Sequence, residues 1–158
     1  MSKLPVLVTG GAGYIGSHAV LALHDAGWPV VVIDDLSNGV REAVPKGVPF
    51  HEGSIADRAL VQRIFAEHGI QAIMHFAGSI VVPESVEKPL LYYANNTVAT
   101  HALLSAALEA GLKHILFSST AAVYGAPETV PINEDDPKLP INPYGASKLM
   151  TEWMLRDA

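Results

Sequence analysis

The 158 residues suffice for one compact domain with one core, and a chain 49% hydrophobic and 16% charged has the apolar surface to offset ordering entropy, which excludes wholesale disorder. Ten Lys and Arg face 16 Asp and Glu, for a net charge of -6 with no basic cluster, so nucleic acid is not an expected partner. The absence of cysteine removes disulfides, thiolate nucleophiles and Cys-built zinc sites, no metal site is expected, and no apolar run approaches the ~18 residues of a membrane span.

Met1-Ser2-Lys3 leads directly into an apolar run, Leu4 to Val8, without the long apolar stretch of a secretory leader, so a cytoplasmic location is expected. That run predicts a first strand, and Tyr14 to Ala26 a helix with Ile15, Ala19, Val20 and Leu23 on one face. Val30 to Ile33 and Pro49 to His51 predict two further strands. The helix that follows, Ala59 to His68, turns Leu60, Val61, Ile64 and Phe65 inward, and Gly69 is placed to end it. Ala72 to Phe76 predicts a fourth strand, Leu90 to Ala110 one long helix closed by Gly111, and His114 to Phe117 a fifth strand. A last helix starts near Pro143, a residue suited to a first turn, and runs to the chain end. Residues 125–143, rich in proline and carrying the acidic run Glu134 to Asp136, read as a long loop at the edge of a site, with the acids solvated.

Near-continuous apolar strands alternating with helices demand parallel pairing with helices on both faces. The expected class is doubly wound α/β, a Rossmann-like parallel sheet with five strands visible. The sheet is expected to be incomplete, with the fifth strand at an edge, because the last helix reaches the chain end before another strand.

Three groups of residues carry chemistry. Gly10, Gly13 and Gly16 form a G-x-x-G-x-x-G frame between the first strand and first helix, where glycine lets backbone approach a pyrophosphate and the helix N-terminus supplies N–H donors. Asp34 ends the second strand 18 positions past Gly16, where a carboxylate accepts from adenosine ribose hydroxyls and repels a 2'-phosphate, favouring NAD over NADP; the same acid also suits the turn through Asp35 to Gly39. Tyr144 and Lys148 lie one turn apart on one face of the last helix, so the lysine can stabilise a tyrosinate, a phenol of ordinary pKa near ~10 becoming a usable base. His75, with no carboxylate or metal partner in sight, is read as supporting its strand end. Leu149, Met150, Trp153 and Met154 are read as an apolar stripe of core or interface.

In this order the glycine frame, Asp34, His75-Phe76-Ala77-Gly78, Tyr92-Tyr93-Ala94-Asn95-Asn96, Phe117 to Gly125 and Tyr144-Gly145-Ala146-Ser147-Lys148-Leu149-Met150 resemble the extended short-chain dehydrogenase/reductase family, within it the nucleotide-sugar epimerases. The resemblance covers essentially the whole chain. It implies that residues 1–158 are an NAD-binding domain preceding further strands and a substrate domain, inactive when alone. Tyr14 and Ile15 would offer backbone to the pyrophosphate. Asp34, Asp35 and Asn38 would hold the adenosine side, and Ser54 and Ile55 would flank adenine. Phe76, Ala77, Gly78 and Asn95 would line the channel toward nicotinamide. Thr120 would hydrogen-bond the reacting sugar oxygen beside Tyr144, and Lys148 would bind nicotinamide ribose.

The implied activity is inversion at C4 of a UDP-sugar through a transient 4-keto sugar. The whole protein would be a homodimer joined near Leu103, Leu104, Ala107, Leu149 and Trp153. The chain departs from the family pattern at Ser54, where Asp is usual, at Ile80, where Lys is common, and at Thr120, where Ser is common. Family dehydratases place Asp-Glu after the strand-five Thr, and here those positions are Ala121 and Ala122. A UDP-N-acetylhexosamine, a UDP-pentose and a non-catalytic dinucleotide-binding role stay open as alternatives.

Overall fold

Val6, Leu7, Val8 and Thr9 are all buried, the pattern of a central strand covered on both faces, and in the computed structural model, which describes residues 3–158, they form β1 (Val6–Thr9). The strand starts later than Leu4 because Pro5 has no N–H for the ladder; its carbonyl instead accepts from Gln71 and Ala72. There follow α1 (Tyr14–Asp25), β2 (Val30–Asp34), a 3-10 turn (Arg41–Ala43), β3 (Phe50–Glu52), α2 (Arg58–His68) and β4 (Ala72–His75). The remainder comprises α3 (Val82–Glu87), α4 (Pro89–Tyr92), a π-helical segment (Tyr93–Val98), α5 (Ala99–Glu109), β5 (His114–Phe117), a second 3-10 turn (Ala121–Tyr124) and α6 (Pro143–Asp157). No helix among the described residues is long and apolar enough to cross a membrane.

The chain forms two compact units. The first takes the chain through Ala77 together with Ala102–Ser118. Its sheet is wholly parallel in the order β3-β2-β1-β4-β5, with Val6 opposite both Val30 and Ala72, and β5 at the edge as the sequence predicts. Period-2 alternation sends Val6, Val8, Val30 and Val32 to one core with Val20 of α1, Ala12, Val44 and Val48. Burying each such side chain contributes about 1.5–3 kcal/mol. Asp57 caps α2 by accepting from the Leu60 N–H at 3.0 Å, and Gly69 ends it at φ 60°, a left-handed turn that favours glycine.

The second unit, Gly78–His101 with Ser119–Ala158, holds most of the departures from expectation. The single helix predicted over Leu90 to Ala110 is α4, a wide π segment and α5. The interruption brackets Asn96, buried with its amide donating to the Ser79 carbonyl and the Ser147 hydroxyl. The unpredicted α3 carries no apolar stripe, since Val82 and Val86 are exposed, and its Pro83 occupies a first-turn position that tolerates proline. Residues 125–142 form no helix or strand, as expected, and the acids Glu134 and Asp135 are exposed.

One expectation is corrected. Leu103, Leu104, Ala107 and Leu149 are buried within their own chain and offer no surface to a partner; of the five residues named for an interface only Trp153, 48% exposed, does so.

Candidate active site

The first unit builds an anion cradle from glycine geometry. Gly10 sits at φ 66°, and a Cβ there would come within 2.6 Å of the Ala77 nitrogen; at Gly16 it would lie 2.1 Å from the Gly10 carbonyl oxygen. Both positions therefore admit only glycine, and the first turn of α1 lies against the β1 loop. Gly13 stands at the N-cap with no side-chain cap and no acid in the first turn, so the helix end keeps its donors and its positive dipole for an anion. Tyr14 and Ile15, 84% and 58% exposed, stand at that turn.

Asp34 combines both roles that its sequence position suggested. It is buried, with Oδ2 accepting from the Ala12 N–H and Oδ1 from the Leu36 N–H, each at 2.9 Å. A carboxylate offers about four acceptor sites, so capacity is left for ribose hydroxyls. Asp35 is exposed and accepts from the Ser37 N–H and hydroxyl, and Asn38 is exposed beyond it. Ser54 accepts from the Ala56 N–H at 3.1 Å, while Ile55 is buried. His75 is a strand-end support: its Nδ1 lies 2.6 Å from the Thr9 hydroxyl, which also accepts from the Ala77 N–H, and its ring stacks on Phe117. Phe76 and Ala77 follow it, half-buried.

The second unit gathers Gly78, Asn95, Thr120, Tyr144 and Lys148. Asn142 caps α6 by accepting from the Gly145 N–H at 2.8 Å, and Pro143 starts the helix. A Cβ on Gly145 would come 2.5 Å from the Ala122 carbonyl oxygen, so this glycine lets α6 lie on the turn that begins after Thr120. Thr120 caps that turn by accepting from the Ala122 N–H at 3.2 Å, which orients the hydroxyl and leaves its proton to donate. Ala121 and Ala122 present only methyl groups.

Tyr144 is half-buried, its ring edge-on to Tyr92 at 6.5 Å. Lys148 is buried, 4% exposed, and burial pushes its ammonium down to about 8. Its Nζ lies 3.9 Å from where a Cβ on Gly78 would stand. Asn95 donates to the Ser79 hydroxyl at 3.0 Å.

Three residues that sequence reasoning quoted within motifs but gave no role hold this unit together. Asn96 accepts from the Ser79 N–H at 2.7 Å, and its amide donates to the Ser79 carbonyl and the Ser147 hydroxyl, each at 3.0 Å. Ser147 in turn donates to the Tyr144 carbonyl at 2.7 Å. Tyr92, fully buried, donates to the Val81 carbonyl and accepts from its N–H, and burial followed by Glu84 raises its pKa. The available signal was a pair of polar residues inside an apolar helical stretch, Asn95-Asn96, which belongs in a helix interior only when its amides have partners.

The UDP-glucose 4-epimerase of Azospirillum brasilense is 67% identical over 153 residues, 97% of this chain and 44% of that protein. The crystal structure of UDP-glucose 4-epimerase from Brucella ovis in complex with NAD matches with a TM-score of 0.95 at 44% identity, over 98% of this chain and 47% of that one. The UDP-Glc/GlcNAc 4-epimerase from Campylobacter jejuni gives 0.94 at 43%, over 98% and 49%. The chain spans about half the length of the curated relatives it matches. Residues 6–158 match the pattern of the NAD dependent epimerase/dehydratase family, and the chain belongs to that family.

Proposed function

We propose that this chain supplies the NAD-binding and acid–base part of an enzyme that inverts C4 of a UDP-sugar, UDP-glucose and UDP-galactose being the pair. The observation that carries this reading is the second unit's Tyr144 and buried Lys148 on one face of α6, in the unit that also holds the capped Thr120. The residues fit NAD: the glycines at 10 and 16 leave no room for a Cβ, the α1 terminus has no acid, and Asp34 retains acceptor capacity without an Arg beside it for a 2'-phosphate. Gly10, Gly13, Tyr14, Ile15, Gly16, Asp34, Asp35, Asn38, Ser54, Ile55, Phe76 and Ala77 would hold it from the first unit. By the resemblance, Gly78, Asn95, Tyr144 and Lys148 are assigned to its nicotinamide end. When bound, NAD would supply a reversible hydride acceptor for the carbon that is inverted.

The chain's own residues manage the proton. Tyr144 acts as the base that takes the proton of the sugar 4-hydroxyl, and it gives the proton back after the 4-keto sugar has turned. Thr120 donates to that oxygen while its Oγ1 is fixed by the Ala122 N–H. Lys148, one turn further along the same face of α6, holds ribose hydroxyls. The methyl groups at Ala121 and Ala122 supply no acid or base for eliminating water, which sets epimerisation above dehydration within the family.

The whole protein is further proposed to be a homodimer, through the second unit's exposed Val98, Met150 and Trp153. Assaying the whole protein with UDP-galactose and UDP-N-acetylgalactosamine, and identifying the C4 epimers, tests the reading. Conversion of UDP-galactose supports it; conversion of neither defeats it. The Campylobacter jejuni relative, described as acting on both UDP-Glc and UDP-GlcNAc, makes turnover of the N-acetylated sugar the second reading.

A further inference from the structure

β3 is the free edge of the sheet opposite β5, only three residues long, and its middle residue is His51. The last turn of α2 ends with Glu67 and His68, and Gly69 terminates the helix immediately after them. The fold thereby brings together two imidazoles and a carboxylate that are 16 and 17 positions apart in sequence. The His51 and His68 Nε2 atoms face each other at 2.9 Å, the rings nearly edge-to-face at 5.1 Å, and each of the three residues offers an atom within 4.8 Å of the others.

We propose that His51, His68 and Glu67 form a binding site for a divalent transition-metal ion of the zinc type. Two nitrogens facing each other at 2.9 Å share at most one proton. A metal replaces that proton, and two imidazoles on one tetrahedral zinc stand ~3.3 Å apart, given Zn–N bonds of ~2.0–2.1 Å, so the pair opens by only tenths of an ångström. Glu67 adds a charged oxygen ligand and offsets Arg63, whose positive charge acts on His51. Two His and one carboxylate leave one position for water and select zinc, cobalt, nickel or copper; magnesium and calcium prefer oxygen donors. All three groups lie within the first unit, so this site is independent of the functional reading above. Ligation fastens β3 to the end of α2.

The test uses the untagged 158-residue chain, stripped with a chelator and titrated calorimetrically with Zn2+, with Co2+ absorption reporting coordination. One equivalent of zinc is expected to bind, and zinc should raise the melting temperature, because an ion held only by the folded chain stabilises it. His51→Gln and His68→Gln should each weaken binding at least ~10-fold, the scale on which site changes alter metal affinity. His114→Gln, at an exposed histidine on β5, should leave it unchanged. His68→Gln and Glu67→Gln are changes at a helix end and preserve the fold if His51→Gln does not. Absence of saturable zinc binding, or equal affinity in wild type, His68→Gln and Glu67→Gln, overturns the proposal.

Discussion

The Asn96 amide donates to the Ser147 hydroxyl at 3.0 Å, and by that bond the π segment is fastened to α6 at the residue preceding Lys148. Both groups are buried, and Asn96 also satisfies both backbone groups of Ser79. Asn96→Ala leaves Ser79 and Ser147 short of partners, and a buried polar group without one costs about 1–3 kcal/mol. Urea denaturation should show a loss of that size. In the whole enzyme, the substitution should lower kcat more than it raises the KM for sugar, since Asn96 acts through the placing of Tyr144 and Lys148. An unchanged denaturation midpoint would show that the network contributes nothing.

Tyr144→Phe removes the proposed base and little else, because the ring keeps its edge-on packing against Tyr92. Turnover by the whole enzyme should fall ~100-fold or more, the usual scale of general-base catalysis, with NAD binding retained. Retention of NAD by the variant is read by calorimetric titration with the cofactor. Full activity would place the base elsewhere.

Cofactor choice follows from Asp34. Its carboxylate is fixed by two backbone N–H groups and cannot swing away from a 2'-phosphate without breaking both. NAD should bind more tightly than NADP by at least ~10-fold, about 1.4 kcal/mol, in calorimetric titrations of each. Equal affinities would remove Asp34 from the ribose site.

Lys148 should make cofactor-free stability depend on pH in a defined window. Its folded pKa is about 8 against an ordinary 10.5, so between these values the unfolded chain holds a proton that the folded chain has released. Stability from this group therefore rises with pH from about 8 to about 10.5, by roughly 3 kcal/mol in all. Below that window both states are charged and the fold carries the cost of a buried ammonium. Comparing wild type with Lys148→Met by denaturation across the window isolates this from tyrosine titration. Wild type should gain on the variant as pH rises; a constant difference contradicts the assignment.

The parallel sheet was legible because buried strands such as Val30 to Ile33 need no partner but each other, and because Gly10 and Gly16 mark a turn that only glycine permits. Tyr144 and Lys148 were legible through helical spacing. What escaped was non-local. Nothing in a linear pattern shows that Asn96 reaches across 51 positions to Ser147, or that His51 meets His68, because those partners are chosen by packing. The interface residues failed for a related reason: an apolar helix face such as Leu103 and Leu104 reads the same whether its own chain or another covers it.

The π segment makes α4 through α5 sensitive to chain length in a way a regular helix is not. Widened turns accommodate one residue more than an α-helix does over the same rise. Removing a single residue between Tyr93 and Val98 would let the stretch rewind as uninterrupted α-helix, turning everything after it by ~100° about its axis. Leu103 and Ala107, now buried, would then lose their places together, so a one-residue deletion here should do more harm than most point substitutions in the same stretch.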